Sequence, residues 1–304
     1  MKIKSFSKQL YEQRFLLLLS VPFVIWLIIF KYIPLVGWVM AFQDFKPHLG
    51  FFNQTWIGFK HFIDLFNAPL FYRALQNTLG MSILGLFFGF TTSIGFAVLL
   101  NEMRFLSFKR FTQTVSYLPH FISWVVVANI IIALLSVNGP VNEILLSFKI
   151  VSESVNFMIK PEYFWWLVVF ADVWKEMGWG AIIYLAAMAG IDSQVYEAAE
   201  IDGVNRVQRV WYITLPGIKS TIIILFIISI GNIINIGFEK QFLLGNAVTA
   251  TKALVIEKYA LDYGIGLFRY SFGTAIGIFK SVVSIVLLLI ANFLAKRSGT
   301  GKLF

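Results

Sequence analysis

The chain has 304 residues, of which 58% are hydrophobic, 17% aromatic and only 13% charged. A soluble protein of this composition would expose large apolar patches, so an ordinary soluble domain is excluded and a polytopic membrane protein is predicted. The chain has no cysteine, which excludes disulfides, thiolate metal sites and cysteine nucleophiles. Its three histidines, His48, His61 and His120, are scattered and form no metal-ligand pattern.

The first apolar run, residues 15–30, follows the basic residues Lys2, Lys4, Lys8 and Arg14. This arrangement resembles a secretory signal, but the run is long and lacks a small-residue cleavage site where one would be needed. We therefore predict an uncleaved first membrane span over residues 15–34, preceded by a tail of residues 1–14.

Five further apolar runs are each long enough to cross ~30 Å of hydrocarbon at ~1.5 Å per residue. They predict an all-α polytopic membrane protein with six transmembrane helices in a domain of residues 15–295, followed by a tail of residues 296–304. The predicted spans after the first are residues 75–100, 117–136, 163–189, 221–244 and 271–294.

The net charge of +9 could indicate binding to nucleic acid or to an anionic membrane surface. The basic residues instead stand mostly at the ends of the apolar runs, where they indicate topology. The two tails, the turn 101–114 and the loop 191–220 carry 13 Lys and Arg, whereas the three alternate loops carry nine spread over more residues. The positive-inside rule therefore predicts that both termini and the loop 191–220 are cytoplasmic.

Charged residues within predicted span four indicate a cavity or a structural cluster. Asp172, Lys175 and Glu176 are three and four residues apart, so they share one helix face. They either neutralise one another locally, or Lys175 binds sugar beside Trp174, whose ring would stack on the sugar while the amine donates hydrogen bonds.

Predicted spans five and six carry further polar residues. Asn232, Asn235 and Glu239 follow at spacings of three and four and predict a polar stripe along one helix. The two asparagines suit hydroxyl-rich ligands, with hydrogen bonding between helices as the alternative. Lys280, in the outer part of span six, either snorkels outward or lines the path.

The loop 191–220 predicts two short helices at the membrane surface, over residues 197–204 and 204–214, with a turn at Gly203 and a stop at Pro216. Composition alone leaves two interpretations, an amphipathic connecting loop or a docking site for a soluble partner. No phosphate-binding loop, serine-hydrolase elbow or zinc-protease motif is present in the sequence. The chain is therefore expected not to be an enzyme.

The amino-acid sequence of this loop resembles that of the cytoplasmic coupling loop of ABC importer permeases. Glu197-Ala198-Ala199 is followed after three residues by Gly203 and, nine residues later, by Ile-x-Leu-Pro ending at Pro216. Six other stretches resemble the polysaccharide branch of the carbohydrate-uptake, maltose-transporter-like family, so the likeness covers essentially the whole chain. They are residues 32–37, 41–47, 56–59, 117–123, 237–244 and 273–279.

The resemblance implies an ABC importer type I permease fold in the bacterial cell membrane. It implies a second related permease subunit, two cytoplasmic ATPase subunits that bind ATP and Mg, and an extracellular or periplasmic binding protein that delivers an oligosaccharide. This chain would bind no cofactor. The residues implied to couple it to the ATPase are Glu197, Ala198, Ala199, Asp202, Gly203, Leu215 and Pro216.

For the substrate, the best candidates are the polar residues of the spans, Lys175, Trp174, Asn232, Asn235, Glu239 and Lys280. The competing class is an ion-coupled secondary transporter or channel, in which Asp172 and Glu176 would be proton sites. Such proteins usually have internal repeats, and no convincing repeat relates the two halves of this chain.

Overall fold

The computed structural model describes Tyr11 and residues 13–297. The predicted basic residues Lys2, Lys4, Lys8 and Lys302 lie outside this part of the chain. The described residues are mostly helical and include one two-stranded sheet, so the prediction of an all-α protein is confirmed. The described residues divide into two compact units, one that ends at residue 67 and includes 262–278, and one of residues 68–261 with 279–297.

The first unit begins with helix α1, Arg14–Leu27, which continues through a π-helical turn, Ile28–Tyr32, and a 3-10 segment, Ile33–Phe42. Strands β1, Gln43–Asp44, and β2, Thr55–Trp56, then pair antiparallel. The connecting loop is held by the Gln54 amide, which accepts from the Lys46 backbone nitrogen at 2.8 Å and donates to the Leu49 carbonyl at 3.0 Å. Helix α2, Lys60–Asn67, completes the segment.

The second unit is built on two long helices, α3, Pro69–Asn101, and α7, Pro161–Ala189. Their facing side chains are buried together, among them Met81, Phe164 and Val168. Apolar burial of this kind contributes about 1.5–3 kcal/mol for each large side chain. The long contact between α3 and α7 therefore forms the core on which the shorter helices pack.

The remaining helices follow in chain order. Between α3 and α7 lie α4, Leu106–Tyr117, α5, Trp124–Leu134, and α6, Pro140–Ser147. After α7 come α8, Ser193–Ile201, α9, Arg206–Arg209, α10, Leu215–Gly217, and α11, Lys219–Gly231. The last four are α12, Glu239–Leu244, α13, Ala250–Ala253, α14, Ile256–Leu261, and α15, Tyr270–Arg297.

Three helical segments of the described residues are long and apolar enough to cross a membrane, Arg14–Phe42, Pro69–Asn101 and Tyr270–Arg297. Two bent pairs raise the number to five if each pair is one span. Helix α7 has 29 residues, enough for about 43 Å of helix, although its three central charges lower its hydropathy. The protein is a membrane protein, and the exact bounds of its domain and tails stay a prediction.

Two predicted spans are not single helices. The predicted span over 117–136 is not one straight helix, because the chain bends by 105° between a segment ending at Phe121 and α5, and its bounds as a span stay a prediction. Ser123 caps α5, and its hydroxyl oxygen accepts a hydrogen bond from the Val126 backbone nitrogen at 3.4 Å. The predicted span over 221–244 is not one helix either, because α11 ends at Gly231 and α12 begins at Glu239.

The break after α11 changes how its polar residues are arranged. Gly237 has a φ of +73°, which is the left-handed region that glycine adopts without strain. Asn232 and Asn235 therefore lie in the irregular segment between helices, and Glu239 lies on the first turn of α12. The predicted stripe of these three residues along one helix does not exist.

Candidate transport cavity and coupling loop

A cavity of about 500 Å³ lies inside the second unit, between α3, α7 and the segment from the end of α11 to α12. Many of its walls are apolar, and a set of polar side chains interrupts them. Such a mixed lining is typical of sites for small molecules, in which a few polar groups orient the ligand. The polar lining residues are Ser82, Ser93, Asp172, Glu176, Ser229, Asn232, Asn235, Lys240 and Gln241.

An ion pair closes one side of the cavity. The Asp172 carboxylate on α7 lies 2.8 Å from the Lys240 ammonium on α12, and the Lys240 side chain is only 14% exposed. A charge in this setting is stable only with a partner, so each side chain holds the other in place. The pair fastens the short α12 to the long α7.

A second group of charges joins α7 to the turn before α5. Glu176 contacts His120, with 2.7 Å between Oε2 and Nδ1, and the His120 ring stacks on Trp179 with 4.3 Å between centroids. Lys175 is buried, and its ammonium donates to the carbonyl oxygens of Pro119 at 3.2 Å and His120 at 2.5 Å. These contacts favour the structural interpretation of Lys175, whose amine is occupied by backbone.

Of the other predicted substrate residues, some line the cavity and some do not. Asn232 and Asn235 line the cavity, and the Asn235 amide nitrogen also donates to the Ser284 hydroxyl at 2.9 Å, a bond to α15. Trp174 and Glu239 are exposed and are not part of the cavity lining. Lys280 is not among the lining residues of the cavity, and its ammonium forms an ion pair with Glu257.

Gln241 is one of the polar lining residues that the sequence analysis did not single out, together with Lys240, Ser82, Ser93 and Ser229. It is fully buried, yet neither its amide oxygen nor its amide nitrogen has a hydrogen-bond partner among the described residues. A buried amide left unpaired costs about 1–3 kcal/mol, so native proteins rarely keep one without a reason. In the sequence, only the adjacent Lys240 within an apolar stretch marks this position.

The loop between α7 and α11 contains the two predicted short helices, with different bounds. Asp192 caps α8, and its carboxylate accepts from the Gln194 backbone nitrogen at 2.9 Å, so the helix starts before Glu197. Gly203 makes the turn with a φ of +73°, which confirms the predicted role of glycine there. A capping box between Asn205 and Gln208 starts α9.

The second short helix does not stop at Pro216. Leu215 and Pro216 begin the three-residue α10, and the chain bends by 61° between the segment ending at Gly217 and α11. Of the Glu-Ala-Ala residues, Glu197 and Ala198 are exposed and Ala199 is buried. Asp202 and Gly203 are also exposed.

Arg209 anchors this loop to the end of α3, which the sequence alone did not reveal. Its guanidinium forms an ion pair with Glu102, at the end of α3, and contacts Glu200 on α8 at 3.3 Å. Tyr196, whose ring lies 5.9 Å from the guanidinium, shares a hydrogen bond of 3.1 Å with the Thr214 hydroxyl. The two short helices are therefore fixed to the long core helix.

Four large apolar side chains of this loop are largely exposed. Their exposed fractions range from 64% to 87%, which is unusual for side chains of this size. Clustered exposed apolar and aromatic residues are typical of protein interfaces. The group consists of Ile201, Val207, Trp211 and Tyr212.

Residues 83–299 match the family described as "Binding-protein-dependent transport system inner membrane component". The chain belongs to this family. Its relatives within this transport-system family include the polygalacturonan/rhamnogalacturonan transport system permease protein YteP of Bacillus subtilis, 42% identical over 98% of this chain and 92% of that protein. The arabinooligosaccharides transport system permease protein AraP of Halalkalibacterium halodurans is 31% identical over 88% of this chain and 83% of that protein.

Solved structures of this transport-system family agree with the fold. A bacterial ABC transporter involved in the import of the acidic polysaccharide alginate contains a chain with a TM-score of 0.87 and 39% identity, covering 96% of this chain and 99% of that one. A second structure, of the alginate ABC transporter in complex with an alginate pentasaccharide-bound periplasmic protein, has a TM-score of 0.86 and 38% identity over 97% and 99% of the two chains. The type I permease fold and the resemblance to carbohydrate-uptake ABC permeases are confirmed.

Proposed function

We propose that this chain is one of two permease subunits of an ATP-driven importer for oligosaccharides or polysaccharide fragments. The observation that carries the proposal is the cavity of about 500 Å³, whose lining includes the amide side chains of Asn232, Asn235 and Gln241. Amides donate and accept hydrogen bonds, which matches sugar hydroxyls. The names of the relatives, which include permeases for pectic polysaccharides and arabinooligosaccharides, support this substrate class.

An importer of this kind requires partner subunits. Two cytoplasmic ATPase subunits bind ATP and Mg, and they dock on the loop that carries Glu197, Ala198 and the exposed aromatic Trp211. A second permease subunit completes the path, and an external binding protein delivers the sugar. The alginate transporter, solved in complex with an alginate pentasaccharide-bound periplasmic protein, supports this last partner. Both termini face the cytoplasm in this arrangement.

The mechanism uses the anchoring of the loop to the core. Closure of the ATPase pair moves α8, and Arg209 transmits this motion to the end of α3 because it contacts both Glu200 and Glu102. Helix α3 also lines the cavity, through Ser82 and Ser93. Movement at the loop therefore changes the cavity wall, which opens alternately to the two sides of the membrane.

Ion-coupled transport is the second candidate, in which Asp172 and Glu176 would carry protons. The match of residues 83–299 to the binding-protein-dependent transport family argues against it.

The test is transport by the purified complex in proteoliposomes. The tagged chain is purified gently from its native membranes, its partners are identified, and uptake of labelled oligosaccharides is measured with and without internal ATP. Uptake that requires ATP and a co-purified ATPase supports the proposal. Uptake by this chain alone, driven by a proton gradient, would show that the secondary-transporter alternative is correct.

A further inference from the structure

The second unit has another pocket, of about 280 Å³, where the first turns of α3 meet α13. It is lined by Arg73, Gln76, Asn77, Thr251 and Lys252. Asn77 is buried, and its amide nitrogen donates to the carbonyl oxygens of Thr251 and Leu254, each at 2.8 Å. The two walls of the pocket are therefore joined by hydrogen bonds and keep a defined spacing.

The charge of this pocket is positive. Arg73 and Lys252 are its charged lining residues, and neither has an ion-pair partner among the described residues, within 4.0 Å. Lys252 is only partly exposed, and its ammonium lies 4.9 Å from the centroid of the Trp165 ring. A cation over an indole face is held in position by the ring quadrupole. The Lys252 ammonium is therefore held in position, and its charge remains available to an anion.

The charge of the transport cavity, the cavity of about 500 Å³, is instead negative. Its charged lining residues are Asp172, Glu176 and Lys240, and the single cation among them is already paired with Asp172. A carboxylate that entered this cavity would meet two carboxylates and no available cation. Cations that can bind a carboxylate are instead found at the Arg73 and Lys252 pocket, which also offers the Gln76 amide and the Thr251 hydroxyl for neighbouring sugar hydroxyls.

We propose that this pocket, the anion pocket, binds a carboxylate of an acidic oligosaccharide on the outer side, before the sugar reaches the transport cavity. The inference rests on the proposed import function and on the predicted topology, in which residues 37–73 and 246–270 are outside. Two cations near one carboxylate attract it from solution and select acidic chains over neutral ones. The guanidinium of Arg73 suits a planar carboxylate, because it donates two parallel hydrogen bonds.

The experiment compares two sugars that differ only in charge. The complete transporter with its binding protein is reconstituted, and ATP-dependent uptake is measured for a galacturonate trisaccharide and for its methyl ester. The variant is Arg73→Gln with Lys252→Gln. The half-saturating concentration of the acidic trisaccharide is expected to rise about tenfold, because the variant loses two partly exposed charge interactions. The value for the ester is expected to stay unchanged.

Two matched variants control for general effects of charge. Lys149→Gln removes an exposed cation from another predicted outer segment and is expected to leave both sugars unaffected. Lys252→Arg retains the charge and is expected to retain uptake of the acidic sugar. Thermal unfolding of each purified variant complex identifies loss of folding.

Each other outcome contradicts the anion pocket. Equal loss for the acid and the ester would identify a docking surface for the binding protein. No loss for either sugar would show that the pocket takes no part, and loss confined to vesicles with phosphatidylglycerol would identify a lipid headgroup site. If the wild-type transporter moves neither sugar, the proposed import function fails, and the pocket is then judged by direct binding of the galacturonate trisaccharide to the purified complex, which the double variant must lose.

Discussion

Asp172 on α7 and Lys240 on α12 form an ion pair of 2.8 Å that joins two segments separated by 68 residues of sequence. The pair lies on the wall of the transport cavity, and it places the next residue, Gln241, against the same space. The short α12 has six residues and follows an irregular segment, so it needs such a contact to hold its position. This charge pair therefore adds to the apolar packing of Leu244 in setting the geometry of the candidate sugar site.

We expect Asp172→Asn to destabilise the complex by about 1–3 kcal/mol, because it leaves the largely buried Lys240 ammonium unpaired. The double variant with Lys240→Met should recover part of this loss. Thermal unfolding of wild type, both single variants and the double variant gives the coupling energy. A coupling energy of zero would mean that the pair does not hold α12.

Gln241→Met keeps the shape of the side chain and removes its unpaired amide. We expect stability to stay equal or to rise slightly, because the desolvation cost of the amide disappears. The half-saturating sugar concentration should rise about fivefold to tenfold through the loss of a hydrogen bond of about 1–1.5 kcal/mol. Glu239→Gln, at an exposed position two residues earlier, is the control. Unchanged sugar affinity in Gln241→Met would exclude this amide from the site.

Glu197→Lys reverses the charge of an exposed residue in the loop that carries the coupling motif. If this loop docks on the ATPase, the variant should lose most sugar-stimulated ATP hydrolysis and co-purify with less ATPase, since like or misplaced charges at an interface cost binding energy. Glu153→Lys, at an exposed position in a different loop, should behave as wild type. Normal transport and assembly in Glu197→Lys would remove the coupling role from this residue.

Arg209→Gln separates the anchoring of the loop from its docking face. The guanidinium contacts both Glu102 and Glu200, so its removal should release α8 and α9 from the end of α3. Hydrogen exchange of the backbone amides over residues 193–217 is expected to accelerate, and ATP hydrolysis should become less dependent on sugar. Arg209→Lys should not restore the wild-type behaviour, because an ammonium cannot replace the forked contacts.

The matched control for this prediction is Arg206→Gln, since Arg206 lies on the same short helix and is exposed. Equal effects of Arg206→Gln and Arg209→Gln would point to net charge instead of the anchoring contacts. Unchanged exchange in Arg209→Gln would show that other contacts hold the loop.

The sequence by itself determined the membrane character, the helical fold and the family. Apolar spans can be recognised without knowledge of tertiary contacts, because each run must be long enough to cross the hydrocarbon of the membrane. The two short helices of the loop 191–220 and the turn at Gly203 were also predictable, since they depend on local backbone geometry. The predicted bounds of these two short helices were less accurate, because the caps at Asp192 and Asn205 decide where the helices begin.

Only the tertiary structure decided which polar residues meet in the cavity. The sequence left two roles open for Lys175, sugar binding beside Trp174 or a structural cluster. The fold turns its ammonium onto the carbonyl oxygens of Pro119 and His120, which are 55 or more residues away in the chain. Helical periodicity placed Asn232, Asn235 and Glu239 in one stripe, and the break after Gly231 separates them. A charged residue within a membrane segment must find a partner, and the identity of that partner depends on which distant segments pack together.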